Sequence, residues 1–297
     1  MSCRSRGGAT CVVALLLFLV SAAPVGAQGN GHGNAYGHVN KNVNSSAASG
    51  VAAATSEEGS IAGTGFRNFG SWLDDATVMD PGAGYVTLGL SYWRTPAFSE
   101  FDFPVMDGGI ALNRRVQFGM SAPIYHAHEP GAPVVRGLGD VFLSMKVQLR
   151  EPSPQRAGFA VTPVLEVLSA PLPDGGGRVH FGIPVSMELQ RDGWRAYGSA
   201  GYFSRGAVFA SAAIEVAVAE NAWVTGTISQ SHSMKSDDLS FALGLSKNRT
   251  DVSGGVAVRV HPRAAVFGSV GRSISPDEVS TDPLMFTTGV SLNFARK

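Results

Sequence analysis

The chain has 297 residues, of which 44% are hydrophobic, and its 23 Lys and Arg residues balance its 23 Asp and Glu residues. A formal net charge of zero argues against nucleic-acid binding, which depends on a basic surface. Charged residues make up 15% of the chain, which is low for a soluble domain. Because no apolar stretch reaches about 18 residues, a helical membrane protein is excluded.

The N-terminus has the pattern of a secretory signal. Arg4 and Arg6 precede an apolar run over residues 11–20, and small residues follow at 25–27. This arrangement predicts a Sec-type signal peptide over residues 1–27. Both cysteines, Cys3 and Cys11, lie within it, so we expect the mature chain to have no thiol and no disulfide.

Two segments of different character follow the signal. Residues 28–60 are mostly Gly, Asn, Ser and Ala, which predicts a disordered tail because little apolar surface is available to bury. Residues 61–82 contain Phe66, Phe69, Trp72 and Leu73, enough apolar mass to pack against something. Two interpretations stay open for them: a short periplasmic helix, or a plug that enters a barrel lumen.

From residue 83 to the end of the chain, apolar residues alternate with small or polar ones. Over 138–150, for example, Val141, Leu143, Met145 and Val147 share one face. Alternation with period 2 predicts strands. The segments run to about 10–14 residues, longer than the ~5–6 of typical strands and suited to a tilted bilayer crossing of ~9–11. The fold class predicted for 83–297 is therefore all-β, a closed antiparallel transmembrane β-barrel whose apolar face meets outer-membrane lipid.

The strand count needs one decision. Thirteen segments alternate, whereas bacterial single-chain barrels have an even number of strands. Treating 222–233 and 238–246 as one long bulged strand gives about twelve. Three prolines inside the strands predict local bulges, because proline donates no ladder hydrogen bond. They are Pro123, Pro163 and Pro184.

Short polar turns and aromatic residues indicate how the barrel sits in the membrane. Five turns are expected at the periplasmic end: Asn113-Arg114, residues 152–155, Arg191-Asp192, Glu220-Asn221 and His261-Pro262-Arg263. Aromatic residues near the segment ends predict interfacial girdles. They are Tyr85, Trp93, Tyr125, Trp194, Tyr202 and Trp223.

The last segment alternates up to an aromatic residue. Phe286, Val290 and Phe294 share one face, and Ala295-Arg296-Lys297 follows. An aromatic that closes an alternating final strand resembles the signal that the barrel assembly machinery reads. We therefore expect that machinery to be a partner through the strand ending at Phe294.

The run Gly137-Leu138-Gly139-Asp140, followed by alternation to Lys146, resembles the outer-membrane barrels named after the meta-pathway of phenol degradation. The hairpin at His261-Pro262-Arg263 and the final strand share the likeness. Val147 stands where the family often has an aromatic. The resemblance implies a channel or transporter for small, often aromatic, solutes in the outer membrane of a Gram-negative-type bacterium.

Alternation also predicts which charged side chains line the lumen. Both signs occur among them, so no strong single-sign selectivity is implied. They act either as a polar constriction or as ion pairs that fill a narrow lumen. The nine candidates are Arg115, Asp140, Lys146, Arg150, Glu166, Glu188, Arg195, Glu215 and Arg259. A turn at Arg191-Asp192 sets Glu188 opposite Arg195, which predicts a cross-strand ion pair near the periplasmic mouth.

The sequence gives little support for a metal site or for catalysis. His126, His128 and Glu129 form the densest cluster of potential metal ligands, but Pro130 and Gly131 mark an exposed loop, and neither a metal nor a cofactor is expected. The preferred function is a passive channel for small solutes and not an enzyme. The alternatives are a barrel enzyme acting on lipids, for which His126, His180 and His232-Ser233 lack a connecting motif, or a soluble secreted β-sheet binding protein or adhesin.

Overall fold

The computed structural model describes residues 72–95, 98–169, 177–204, 206–234, 248–274 and 284–294. All of them belong to one compact unit. The expected signal peptide and tail, and the expected strand at 238–246, lie outside the described residues. Within the described ranges, no helix is long and apolar enough to cross a membrane.

Twelve strands account for the regular structure of the described residues, and three of them consist of two segments. The strands are β1 (Gly84–Thr95), β2 (Phe98–Asn113), β3 (Val116–His128), β4 (Val135–Leu138 and Val141–Arg150), β5 (Gly158–Val161 and Val164–Val167), β6 (Val179–Gly182 and Val185–Arg191), β7 (Trp194–Phe203), β8 (Ala207–Ala219), β9 (Ala222–Ser233), β10 (Asn248–His261), β11 (Ala264–Ser273) and β12 (Leu284–Phe294).

The strands form one closed antiparallel barrel. Each strand pairs with its neighbours in sequence. The last strand, β12, then pairs with β1 from Gly84↔Phe294 to Arg94↔Leu284. Closure leaves no sheet edge with unpaired backbone groups, which is the condition for a β-structure in lipid. The prediction of an all-β, closed barrel of about twelve strands is confirmed.

The pairing of β9 with β10 explains the strand count. These two strands are direct neighbours, in register from Ala222↔Val258 to His232↔Asn248. β10 begins at Asn248 and runs to His261. An even count therefore needs no further strand between β9 and β10.

The prolines disturb the sheet where expected. Pro163 and Pro184 stand in the breaks of β5 and β6. Backbone hydrogen bonds bridge both breaks, because the Met145 amide donates to the Pro163 carbonyl at 3.0 Å and the Thr162 amide to the Pro184 carbonyl at 2.9 Å. The β2–β3 register shifts next to Pro123. The prediction of local bulges is confirmed, and the wall remains hydrogen-bonded across them.

The two faces of the wall differ as alternation predicts. On β4, Leu143 is 43% exposed, whereas Phe142 and Lys146 on the opposite face are buried. Large apolar side chains are exposed around the outside of the barrel, where they would meet lipid. Examples are Val86, Leu88, Met120, Ile214, Ile228, Val256, Val290 and Leu292.

The aromatic girdle prediction is wrong for several residues. Tyr85, Trp93 and Trp223 are buried, and they share the lumen side with buried neighbours two positions away, such as Thr87, Ser91 and Thr225. Tyr125 pairs with the buried Asp102 and so also faces inward. Trp194 and Tyr202 remain about 40% exposed. Position near a strand end does not determine the face, which the parity along the strand sets.

Candidate functional site in the lumen

The lumen holds the chain that immediately precedes the barrel. Residues 72–80, here called the inner segment, are extended and lack sheet pairing. Trp72 to Met79 are all buried, and Asp75 and Ala76 have no exposed surface. Eight of the nine residues are thus buried inside the barrel, whereas Asp80 is exposed, and the two interpretations of residues 61–82 as a whole stay predictions. Residues 61–71 lie outside the described part.

Two acidic residues of the inner segment bind two basic residues of the wall. Lys146 Nζ lies 2.8 Å from Asp74 Oδ1 and 2.8 Å from Asp75 Oδ1. Arg195 Nη1 lies 3.1 Å from Asp75 Oδ2, while its Nε lies 2.9 Å from Glu215 Oε1. All five side chains are buried, so removing one partner would leave a buried charge without its counter-charge.

Hydrogen bonds from side chains of the wall to uncharged groups of the inner segment continue this attachment. Glu188 Oε2 accepts hydrogen bonds from the Ala76 amide at 3.1 Å and from Thr77 Oγ1 at 2.7 Å. Gln148 Nε2 donates to the Ala76 carbonyl at 2.9 Å, and Lys146 Nζ donates to the Thr77 carbonyl at 3.1 Å. Side chains of the wall thus satisfy backbone groups that an extended segment cannot satisfy itself.

The ends of the inner segment are held differently. Trp72 packs in an apolar cluster with Phe142, Val164, Phe203 and Phe209, its ring 6.2 Å from that of Phe142. Its carbonyl also accepts a hydrogen bond from Ser199 Oγ. At the other end, Val78 and Met79 pack with Tyr85 and Ala111, near the short turns.

The predicted Glu188–Arg195 pair exists in an altered register. The pairing sets Arg195 opposite Gln190 and Glu188 opposite Tyr197, so the predicted register is wrong by two residues. The turn is Asp192-Gly193, with Gly193 at φ +78°, and not Arg191-Asp192. Both side chains still face the lumen. Although the two residues are not directly opposed, Arg195 Nη1 lies 3.5 Å from Glu188 Oε1.

Six of the nine candidate lumen charges are buried in the interior: Asp140, Lys146, Glu166, Glu188, Arg195 and Glu215. Arg259 is half-buried, with its guanidinium carbon 5.0 Å from the centre of the Trp223 ring. Arg115 and Arg150 are exposed. Arg115 lies in the β2–β3 turn and Arg150 at the last position of β4, so neither belongs to the buried set, and their lining role stays a prediction.

Sequence alternation missed seven buried charges. They are Asp74, Asp75, Glu100, Asp102, Asp107, Arg249 and Asp251. Among the described residues, ten acidic and three basic residues are buried, so the interior is acidic rather than balanced. Both signs occur, as expected, and whether they impose an ion selectivity stays a prediction; the alternation over Ser99–Phe103, which precedes Pro104, is the signal that could have revealed Glu100 and Asp102.

A cavity of about 490 Å³ opens at the end with the short turns. The inner segment forms one side of it through Thr77, Val78 and Met79, and Trp223 and Gln190 contribute from the wall. Arg114, Arg191 and Glu151 lie at its margin. A volume of this size accommodates a small organic molecule.

The histidines do not form a site with the acidic residues. His126 and His128 pair with Phe101 and Ser99 on the outward side of β2 and β3, and the His126 ring lies 6.3 Å from the Phe101 ring. His180 Nε2 is 2.8 Å from the Gly177 carbonyl oxygen, and His232 Nδ1 contacts Asn248 Oδ1. Within the described ranges, no group of three or more His, Cys, Asp or Glu side chains could hold a metal ion.

The chain is similar to known proteins in fold but not in sequence. No protein-family model and no curated protein sequence matches the chain. Among solved structures, an outer membrane channel from Pseudomonas putida F1 is similar with a TM-score of 0.55 at 12% identity, covering 74% of this chain and 98% of that one. The NanC porin is similar with a TM-score of 0.53 at 7% identity, covering 70% and 98%.

Proposed function

We propose that the protein is a passive outer-membrane channel for small solutes, and that the inner segment restricts its lumen. The observation that carries the proposal is that side chains of the wall hold Trp72–Met79, while among the described residues this stretch forms no backbone-to-backbone hydrogen bond with any strand. A structural strand would pair through its backbone, whereas these contacts can be released without breaking the barrel. The likeness in fold to two outer-membrane channels supports the same assignment.

The solute is proposed to be small and apolar or aromatic. The cavity at the mouth places an apolar surface of Val78, Met79 and the indole of Trp223 beside charged and amide side chains, which could orient a small organic molecule on that surface. The sequence resemblance to phenol-pathway barrels favours the same class. Lumen charges such as Lys146 and Arg195 then serve to hold the inner segment and not to select an ion directly.

Membrane insertion and export are part of the proposal. On β12, Phe286, Val290, Leu292 and Phe294 are all more than 40% exposed on the outward face. This face supports recognition of the last strand by the barrel assembly machinery. Residues 1–27 then act as the Sec-type signal and residues 28–60 as a tail that the barrel does not need for folding.

We assign no enzymatic activity. The residues considered for a lipid hydrolase lie far apart, because His126 is on β3 and Ser233 is on β9, six strands away around the barrel. A nucleophile and its base must be within hydrogen-bond reach. The passive-channel proposal accounts for the lumen without a reaction.

The test is single-channel conductance in planar bilayers. The full-length protein is compared with a variant in which residues 72–79 are replaced by Gly and Ser, and we expect conductance to rise several-fold because the lumen is emptied. A control replaces residues 41–48 in the same way and should conduct like the wild type. Heat-modifiable gel mobility reports that each barrel is folded. Equal conductance of folded wild type and released variant would contradict the restricting role, and absence of conductance in both would contradict the channel.

A further inference from the structure

Trp72, at the start of the inner segment, lies toward the end of the barrel opposite the short turns. It packs in one cluster with Phe203, the last residue of β7, and with Phe209, close to the start of β8. Phe142, near the start of the longer part of β4, contacts it from a third strand. Because neighbouring strands are antiparallel, the end of β7 and the starts of β4 and β8 all lie at one end of the barrel.

The residues that follow Trp72 reach the other end of the barrel. Asp75 contacts Lys146 in the middle of β4 and Arg195 at the second position of β7. The Met79 amide then donates to Oε1 of Gln117, the second residue of β3, at 3.3 Å. An extended chain of this length spans roughly 25–30 Å, comparable to the ~25 Å apolar band of an outer-membrane barrel. The inner segment therefore runs along the length of the lumen.

A tight turn connects the inner segment to β1 and reverses the chain. Gly82 adopts a φ of +79°, and its amide donates to the Ala111 carbonyl at 2.8 Å. The Ala83 amide donates to the Asp80 carbonyl at 2.9 Å, and β1 begins at the next residue. The inner segment and β1 therefore run in opposite directions, and the chain that precedes the inner segment enters the lumen at the end remote from this turn.

The connections between strands identify the two ends of the barrel. At the end near Asp80, four of the five hairpins turn within two residues, namely Arg114-Arg115, Asp192-Gly193, Glu220-Asn221 and Pro262-Arg263. At the end near Trp72, the stretches between consecutive strands are longer and include 168–178, 234–247 and 274–283. Outer-membrane barrels have short periplasmic turns and longer extracellular loops. Trp72 therefore lies toward the extracellular mouth and Asp80 at the periplasmic one.

We propose that the protein presents residues 45–71, the stretch directly before the inner segment, at the cell surface. The inner segment then crosses the lumen as the tether of a displayed tail, and its buried ion pairs with the wall hold it there. The composition of the tail suits passage through a narrow lumen, because Gly, Ala and Ser predominate and only Glu57, Glu58 and Arg67 are charged. Surface display goes beyond the channel function and does not depend on conductance.

Cysteine labelling of the full-length protein in its cells tests this topology. Cys3 and Cys11 are the only cysteines of the chain, and both lie in the expected signal peptide. Three single variants are compared: Ser46→Cys in the tail, Ala132→Cys in the exposed loop between β3 and β4, and Asp192→Cys in an exposed short turn. Each is treated with a maleimide on a polyethylene glycol chain too large to cross the outer membrane, first in intact and then in permeabilised cells. The unsubstituted chain measures the background.

We expect Ser46→Cys to be labelled in intact cells to the same extent as Ala132→Cys, and Asp192→Cys to be labelled only after permeabilisation. Labelling of Ser46→Cys only in permeabilised cells, or in neither preparation, would overturn the proposal. Labelling of Asp192→Cys in intact cells would overturn it as well, because the short turns would then face outward. A labelled tail on a barrel that does not conduct would count against the channel function alone.

Discussion

Two sides of the lumen are built from different chemistry. On β4 to β8, a charged wall carries Lys146, Glu188, Arg195 and Glu215. On β9, β11, β12 and β1, a hydroxyl wall carries buried small residues, namely Thr225, Thr227, Ser229, Ser269, Ser291 and Thr87. Strand β10, between β9 and β11, adds one buried ion pair, Arg249 with Asp251. Both walls arise from the same alternation, and only the polar residues at the inward positions differ.

The two walls therefore differ in role: the charged wall binds the inner segment, and the hydroxyl wall only lines the lumen. The hydrogen bonds and ion pairs described for the inner segment reach from Gln117 on β3 to Ser199 on β7. Hydroxyl groups of the other side bond to neighbours in the sheet, as when Thr87 Oγ1 donates to Ser291 Oγ at 3.1 Å. Buried ion pairs fix one geometry, whereas small hydroxyls fill a wall without fixing a bound segment. A solute that passes the inner segment would therefore move along the hydroxyl wall.

The largest expected effect is the loss of Lys146. Replacement by Met removes the cation from two buried carboxylates, and breaking a buried pair in this way costs about 3–5 kcal/mol. Because Asp74 and Asp75 can regain water by leaving the lumen, we expect the inner segment to be released and single-channel conductance to rise. Arg150→Met, on the same strand and with the same loss of charge, should leave conductance unchanged, since Arg150 is exposed. Equal conductance of Lys146→Met and wild type would show that the charged wall does not hold the segment.

The next effect concerns the two faces of β4. Met145 faces outward and Ser144 faces the lumen side. Arginine at Met145 near mid-membrane should destabilise the barrel by about 2–4 kcal/mol, because the charge would meet lipid. Arginine at Ser144 should cost much less. Urea unfolding in lipid vesicles measures both, and equal free energies of unfolding would refute the faces on which the charged wall depends.

A smaller effect is expected for Glu188→Gln. The amide keeps the shape and one acceptor oxygen, but its NH₂ group would face either the donors of the inner segment or Gln190 Nε2, which donates to Glu188 Oε1 at 2.9 Å. We expect a loss of about 1–3 kcal/mol, since Arg195 keeps Asp75 and Glu215 as partners. Urea unfolding should place this variant between wild type and Met145→Arg. A change in ion preference without a change in stability would show that Glu188 selects ions and does not hold the inner segment.

The fold could be predicted because alternation is a local property. Strand length, the short turns and Pro163 and Pro184 were all visible in sequence, and each feature corresponds to a structural one. The register at β6–β7 was missed because the turn was placed one residue early. Asp192-Gly193 is the stronger hairpin pair, since Gly193 adopts the positive φ that such turns require.

The contents of the lumen could not be predicted in the same way. Asp74 and Asp75 lie in a segment without periodicity, and their partners Lys146 and Arg195 are about 70 and 120 residues away. The inward-facing Glu100 and Asp102 were missed because the alternation is interrupted at Pro104, whereas β2 begins at Phe98 and passes the proline with a register shift. Long-range contacts and irregular strands both lie beyond what alternation specifies.

The smallest effect is expected on the hydroxyl wall. Thr87→Val keeps the volume of the side chain and removes its hydrogen bond to Ser291 Oγ, which should cost about 1 kcal/mol because a single neutral hydrogen bond contributes that much. The change touches no charge and no atom of the inner segment, so conductance should match the wild type. Urea unfolding and single-channel recording of Thr87→Val are compared with the same measurements on Lys146→Met. If Thr87→Val released the segment as Lys146→Met is expected to do, the inner segment would depend on both walls, and the division of the lumen into a holding side and a lining side would be wrong.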